Sequence, residues 1–204
     1  MSRLPDHGVY AITDGPRDDL VEAVRAALAG GARLVQYRDK GTDRARRETE
    51  ARALASLCRD HGAPLIVNDD VELAHAVGAD GVHVGAGDAS VIEARARLGP
   101  RAIIGVSCYN SIERARQLAG AGADYLAFGA FFPSPSKPTA RPADPGVLCE
   151  ARMLGLPLVA IGGINADNAR LLVDAGADYL AVISAVFGAA DITAATRELA
   201  SRFT

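Results

Sequence analysis

The chain has 204 residues, 49% of them hydrophobic, and 22 basic against 25 acidic side chains give a formal net charge of −3. That is the composition of a soluble globular protein, and the mild acidity argues against a nucleic-acid or anionic-membrane partner. No apolar run approaches the roughly 20 residues of a spanning helix, and the first six residues lack the apolar core of a signal peptide, so a cytoplasmic protein is expected. Cys58, Cys108 and Cys149 are far apart with no CxxC pair, which suits reduced thiols. Twenty of the 22 basic residues are Arg; only Lys40 and Lys137 are Lys. In such a background a lysine marks a place where a compact, rotatable ammonium is needed.

Short Val/Ile-rich runs alternate with longer stretches of helical period. Strands are predicted at Val9–Thr13, Leu34–Lys40, Pro64–Asp69, Gly81–Gly85, Ala102–Ser107, Tyr125–Gly129, Pro157–Gly162 and Tyr179–Ser184. Helices are predicted at Asp19–Ala29, Arg44–His61, Val71–Val77, Ser90–Leu98, Ser111–Ala121, Pro145–Leu154, Ala166–Ala175 and Ile192–Phe203. Eight βα units fit residues 1–204 as one single-domain (β/α)8 TIM barrel. An internal repeat supports this: Gly30-Gly31-Ala32-Arg33, Gly78-Ala79-Asp80, Gly122-Ala123-Asp124 and Gly176-Ala177-Asp178 each precede a strand. The glycines are expected to end helices in left-handed caps at the bottom of the barrel.

In such a barrel, chemistry sits where strands end. The second strand places Gln36, Arg38 and Lys40 two apart and so on one face, with Val35 and Tyr37 on the other. The trio suits phosphate oxygens; a strand end with paired charges, Asp39 included, is the rival. The third strand ends in Asn68-Asp69-Asp70, and Asp88 follows the fourth. Carboxylates on neighbouring strand ends can share Mg2+ with substrate phosphates, although Asp70 or Asp88 alone could equally cap the next helix.

Ser107 ends the fifth strand, with helix capping as its other possible role. The long loop after the sixth strand carries Ser134, Pro135, Ser136 and Lys137 and reads as a lid or binding loop, or as a linker. Gly163 and Ser184, after strands seven and eight, lie where this fold commonly binds a monophosphate. His61 and His75 fall in helices, and His83 reads as a core histidine. Two anion sites on one rim, with no base clearly placed between them, suit displacement of diphosphate by a phosphorylated partner.

The motifs Tyr10-Ala11-Ile12-Thr13-Asp14, Gln36-Tyr37-Arg38-Asp39-Lys40, Leu65-Ile66-Val67-Asn68-Asp69-Asp70, Gly81-Val82-His83-Val84-Gly85, Ile104-Gly105-Val106-Ser107, Ala160-Ile161-Gly162-Gly163-Ile164 and Val182-Ile183-Ser184-Ala185 resemble the thiamine phosphate synthase family, in its order and over nearly the whole chain. The resemblance implies a transferase that joins a hydroxymethylpyrimidine diphosphate to a thiazole phosphate, in its carboxylated form with loss of CO2. It implies that Gln36, Tyr37, Arg38, Asp39, Lys40, Asn68, Ser107 and Lys137 bind the pyrimidine diphosphate, with Arg38, Lys40, Ser107 and Lys137 catalytic. Asp69 and Asp88 would hold Mg2+, and Ser134, Pro135, Ser136, Gly163, Ile183 and Ser184 would bind the thiazole phosphate. The family's mechanism is dissociative, with diphosphate leaving first. Three positions depart from its pattern: Ala86 replaces the usual Gln, Ser134 and Ser136 replace Thr, and Tyr109 stands where many members have His. A thiazole tautomerase and a catalytically silent phosphate-binding barrel are the competing expectations. A homo-oligomer is compatible with the sequence.

Overall fold

The structure is a computed structural model, and it describes residues 4–133 and 142–204. Eight parallel strands close in sequence order: Gly8–Ile12 (β1), Ala32–Tyr37 (β2), Leu65–Asn68 (β3), Gly81–Val84 (β4), Ile103–Tyr109 (β5), Tyr125–Gly129 (β6), Leu158–Ile161 (β7) and Tyr179–Val182 (β8). Around them run Leu20–Ala29 (α1), Arg44–Asp60 (α2), Val71–Val77 (α3), Val91–Leu98 (α4), Ile112–Gly120 (α5), Gly146–Ala151 (α6), Ala169–Asp174 (α7), Ser184–Phe187 (α8) and Ile192–Ala200 (α9). None of the described helices is long and apolar enough to cross a membrane.

Period-2 alternation divides the apolar residues into two shells. Val9, Val35, Val67, Val82, Val106 and Leu180 face the helices, whereas Tyr10, Ile12, Leu34, Ile66, Ile103, Tyr125, Val159 and Tyr179 fill the barrel. A parallel strand covered on both faces must be apolar on both, which is why these strands read as near-continuous hydrophobic runs.

The glycine repeat forms the lower rim with one adjustment. Only Gly78 is a left-handed cap (φ 65°, ψ 38°). Gly31, Gly122 and Gly176 lie one residue beyond right-handed caps and have φ near +100°. The aspartates of the repeat have a separate task. Asp80, Asp124 and Asp178 accept from the backbone N–H of Leu65, Ile104 and Leu158 at 2.9, 2.7 and 2.7 Å. Their own N–H groups donate back to the carbonyls of the same three residues. Each aspartate thus clasps the start of the preceding strand with a charge-assisted bond. Arg33, the second residue of β2, takes this place in the repeat, so the first unit lacks the clasp.

Two predicted strands overrun their observed C-terminal ends by two residues or more. β2 ends at Tyr37 because the Thr13 side chain captures the next residue, accepting from Arg38 N–H at 2.8 Å and donating to Arg38 C=O at 3.0 Å. Arg38 and Lys40 therefore stand on the loop above the strand. β8 ends at Val182, and Ser184 opens α8, a helix the sequence pattern does not reveal because it has only four residues.

Candidate active site

The upper rim collects polar groups from successive strands. Gln36 points into the barrel and is 3% exposed. Tyr37 and Asp39 are tied to α2, and Asp39 also lines the cavity beside the Asp69–Asp88 pair. The Tyr37 hydroxyl donates to Glu50 at 2.7 Å, and Asp39 accepts from Arg46 at 2.5 Å and from Gly41 N–H at 2.6 Å. These bonds fix the loop that carries Arg38 and Lys40. Among the described residues, neither of those two cations forms an ion pair within 4 Å, so both keep their donors available.

Asp69 and Asp88 meet across the loops after β3 and β4. Burial, and then the facing Asp88 carboxylate, raise the Asp69 carboxyl above its usual range, while Lys40 pulls it down. Asp88 is itself anchored, accepting from Gly85 N–H at 2.7 Å. Asp70 takes the capping role: it accepts from Leu73 N–H at 2.9 Å and pairs with Arg47 at 3.0 Å. Ser90 caps α4 and Ser111 caps α5, which frees Asp88 and Ser107 from that task. Asp69 holds φ at 61°, a left-handed backbone that few side chains adopt. No group of three or more metal-ligating side chains occurs among the described residues. Two facing carboxylates of like charge nevertheless fit a hard divalent ion whose remaining positions go to phosphate oxygens and water. A cavity of about 650 Å3, lined by Lys40, Asn68, Asp69 and Arg47 among others, opens beside them.

On the far side of the rim, Gly162 (φ 103°) and Gly163 (φ 65°) shape the loop after β7. A Cβ on Gly163 would lie 2.5 Å from the Pro133 carbonyl oxygen and 2.8 Å from Phe132 Cβ, so the neighbouring loop already fills that space. Ile183 and Ser184 stand at the start of α8, among whose residues Val186 and Phe187 donate back to Ile183 C=O. The expected residues Ser134, Pro135, Ser136 and Lys137 lie outside the described residues.

His83 is the residue the sequence undervalues. Its Nδ1 lies 2.9 Å from the Tyr125 hydroxyl and its Nε2 lies 2.9 Å from Ser107 Oγ. Burial pushes its pKa down to about 4, against a small upward pull from Asp88, so the ring is neutral at physiological pH. The strand register explains the contact: His83 pairs with Gly105, and Gly105 with Tyr125. With no side chain at Gly105, the Tyr125 ring crosses that strand; a Cβ there would lie 1.8 Å from Tyr125 Cζ. A glycine between two polar aromatic positions on adjacent strands is the signal that could have located this contact.

A closed parallel barrel with cations, facing carboxylates and glycine-shaped loops on one rim defines a TIM-barrel enzyme built for phosphorylated substrates. The family profile described as thiamine monophosphate synthase matches residues 9–186. The thiamine-phosphate synthase of Thiobacillus denitrificans is 56% identical over 195 residues, covering 94% of this chain and 92% of its own. That of Halorhodospira halophila is 53% identical over 206 residues, covering 100% and 98%. Among solved structures, the thiamine phosphate pyrophosphorylase from Pyrococcus furiosus has a TM-score of 0.88 at 40% identity, covering 97% of this chain and 96% of that one. The chain belongs to the thiamine-phosphate synthase family and is a transferase of thiamine biosynthesis.

Proposed function

We propose that the enzyme joins an aminopyrimidine methyl diphosphate to a thiazole phosphate, yielding thiamine phosphate and diphosphate. With the carboxylated thiazole, CO2 is also lost. The methylene C–O bond breaks with its electron pair leaving on diphosphate, and the thiazole nitrogen lone pair forms the new C–N bond. The observation that carries this assignment is the distribution of charge on the rim. Arg38, Lys40 and the Asp69–Asp88 pair crowd the β2–β4 side, while the one imidazole at the rim, His83, is held neutral by burial. A site rich in leaving-group stabilisers and poor in bases suits a dissociative displacement.

Asp69 and Asp88 would hold Mg2+, which when bound neutralises charge on the departing diphosphate. Arg38 and Lys40 hold the diphosphate oxygens from the β2 loop, and Lys137 adds a third cation. Asn68 and Ser107 face the pyrimidine, together with Gln36. Gly163, Ile183 and Ser184 offer backbone N–H groups and a hydroxyl to the thiazole phosphate, and Ser134, Pro135 and Ser136 are assigned to the same phosphate.

The test is diphosphate release measured with each substrate alone and with both, with Mg2+ and with EDTA. Release only with both substrates and metal is expected. Full turnover in EDTA would sink the metal assignment, and release without the thiazole phosphate would sink the transfer. Lys137→Arg tests the lysine's role separately, and a near wild-type rate would show that a guanidinium serves as well.

A further inference from the structure

Across the middle of an otherwise apolar barrel runs an unbroken line of hydrogen bonds. Gln36 Nε2 donates to the Tyr10 hydroxyl at 2.7 Å. The Tyr10 and Tyr125 hydroxyls are 2.9 Å apart, with their rings edge to face. Tyr125 then reaches His83 Nδ1, and His83 Nε2 reaches Ser107 Oγ, each at 2.9 Å. The line begins on β2 and ends on β5, at two residues that face the rim.

Counting hydrogens gives the line a direction. A phenol has one hydrogen to donate. Tyr10 receives from Gln36, so its hydrogen goes to Tyr125. The one acceptor left in the line for the Tyr125 hydrogen is His83 Nδ1, and with that bond made the ring hydrogen sits on Nε2 and points at Ser107. Ser107 accepts there, so its own hydrogen is left to point into the mouth. At the other end the Gln36 amide has spent an N–H on Tyr10. Among the described residues nothing donates to its Oε1.

We propose that these five side chains act as one polarised unit, in which Tyr10 and Tyr125 are positioning residues that fix Ser107 as a donor and Gln36 as an acceptor toward the substrate. Reversing one end requires reversing every link: if the Gln36 amide flips, Ser107 becomes the acceptor. The mouth thus takes a heteroaromatic ring presenting an acceptor to Ser107 and an N–H to Gln36, and disfavours the opposite order. The choice of ring rests on the function proposed above; the polarity of the line does not.

The experiment reads the tautomer of His83 by long-range 1H–15N correlation in the 15N-labelled protein without substrate or metal, with the His83→Asn variant assigning the signal. The expected result in the wild type is a protonated Nε2 and a bare Nδ1. In Tyr10→Phe, a residue that does not touch His83, Tyr125 is released to donate or accept, and His83 becomes a mixture of tautomers. Tyr179→Phe, also inside the barrel but outside the line, leaves the tautomer unchanged. In turnover, Tyr10→Phe raises KM for the pyrimidine diphosphate about tenfold, with a smaller change in kcat. A protonated Nδ1 in the wild type overturns the proposal, and this measurement needs no variant to fold. An unchanged tautomer in folded Tyr10→Phe also overturns it. Because the spectra need no substrate, a failed transfer assay leaves this outcome independent.

Discussion

The two rims of the barrel use positive φ in opposite ways. At the lower rim the helix-to-strand joints adopt it only at glycine, at Gly31, Gly62, Gly78, Gly99, Gly122, Gly155 and Gly176. At the upper rim it also falls on Asp69 (61°) and Tyr109 (57°), the two non-glycine residues with positive φ among those described. The lower rim is relaxed and clasped; the upper rim carries strain where a carboxylate must be aimed. Backbone strain persists only where surrounding structure imposes it, and it gathers at functional sites.

The largest expected effect comes from Asp69→Asn. Asn adopts a left-handed backbone more readily than most residues, so the loop keeps its shape, and removing one of two facing carboxylates relieves their repulsion. Turnover should fall on the order of a hundredfold or more, while the metal-free protein unfolds at an equal or higher temperature. A variant that loses stability together with activity would show that Asp69 supports the fold rather than the chemistry.

Glycines compare the rims directly. Gly163→Ala places a Cβ against Phe132 and Pro133 at φ 65°, which combines strain with overpacking and should cost about 2–4 kcal/mol in urea unfolding. Gly122→Ala, at φ 95° with no atom within 4 Å of the added carbon, carries strain alone and should cost about 1 kcal/mol. Turnover should fall in the first variant and hold in the second. Equal costs would mean that packing against the β6 loop contributes nothing at Gly163.

This contrast also explains what could be read from the sequence. The lower rim repeats, so its glycines, its aspartates and the eightfold strand order are visible as a pattern. The upper rim does not repeat. The alternation Gln36, Arg38, Lys40 continues past the end of β2, because the bond that ends the strand comes from Thr13, 25 residues away. Tyr37 and Asp39 look like site residues by position, and the sequence does not show that Glu50 and Arg46 on α2 also bond them. His83 acquires meaning only through the gap at Gly105. Residue type and spacing locate the rim; partners from other elements decide how each group on it is held.

The smallest expected effect lies in the clasps, and it tests whether the lower rim serves stability alone. Asp178 bonds the Leu158 N–H at 2.7 Å and, among the described residues, has no ion-pair partner, whereas Asp124 is also paired with Arg95. Asp178→Asn keeps an acceptor oxygen and loses only charge assistance, so a loss of about 0.5 kcal/mol is expected; Asp178→Ala leaves the N–H without its partner and should cost about 1.5 kcal/mol. Both should keep wild-type KM, since the clasp sits at the opposite end of β7 from Gly163. Arg33 supplies the internal control. The β2 unit lacks an aspartate, so Arg33→Ala should cost less than Asp178→Ala. A larger loss at Arg33 would mean that the first unit is held by a cation doing the work that carboxylates do elsewhere.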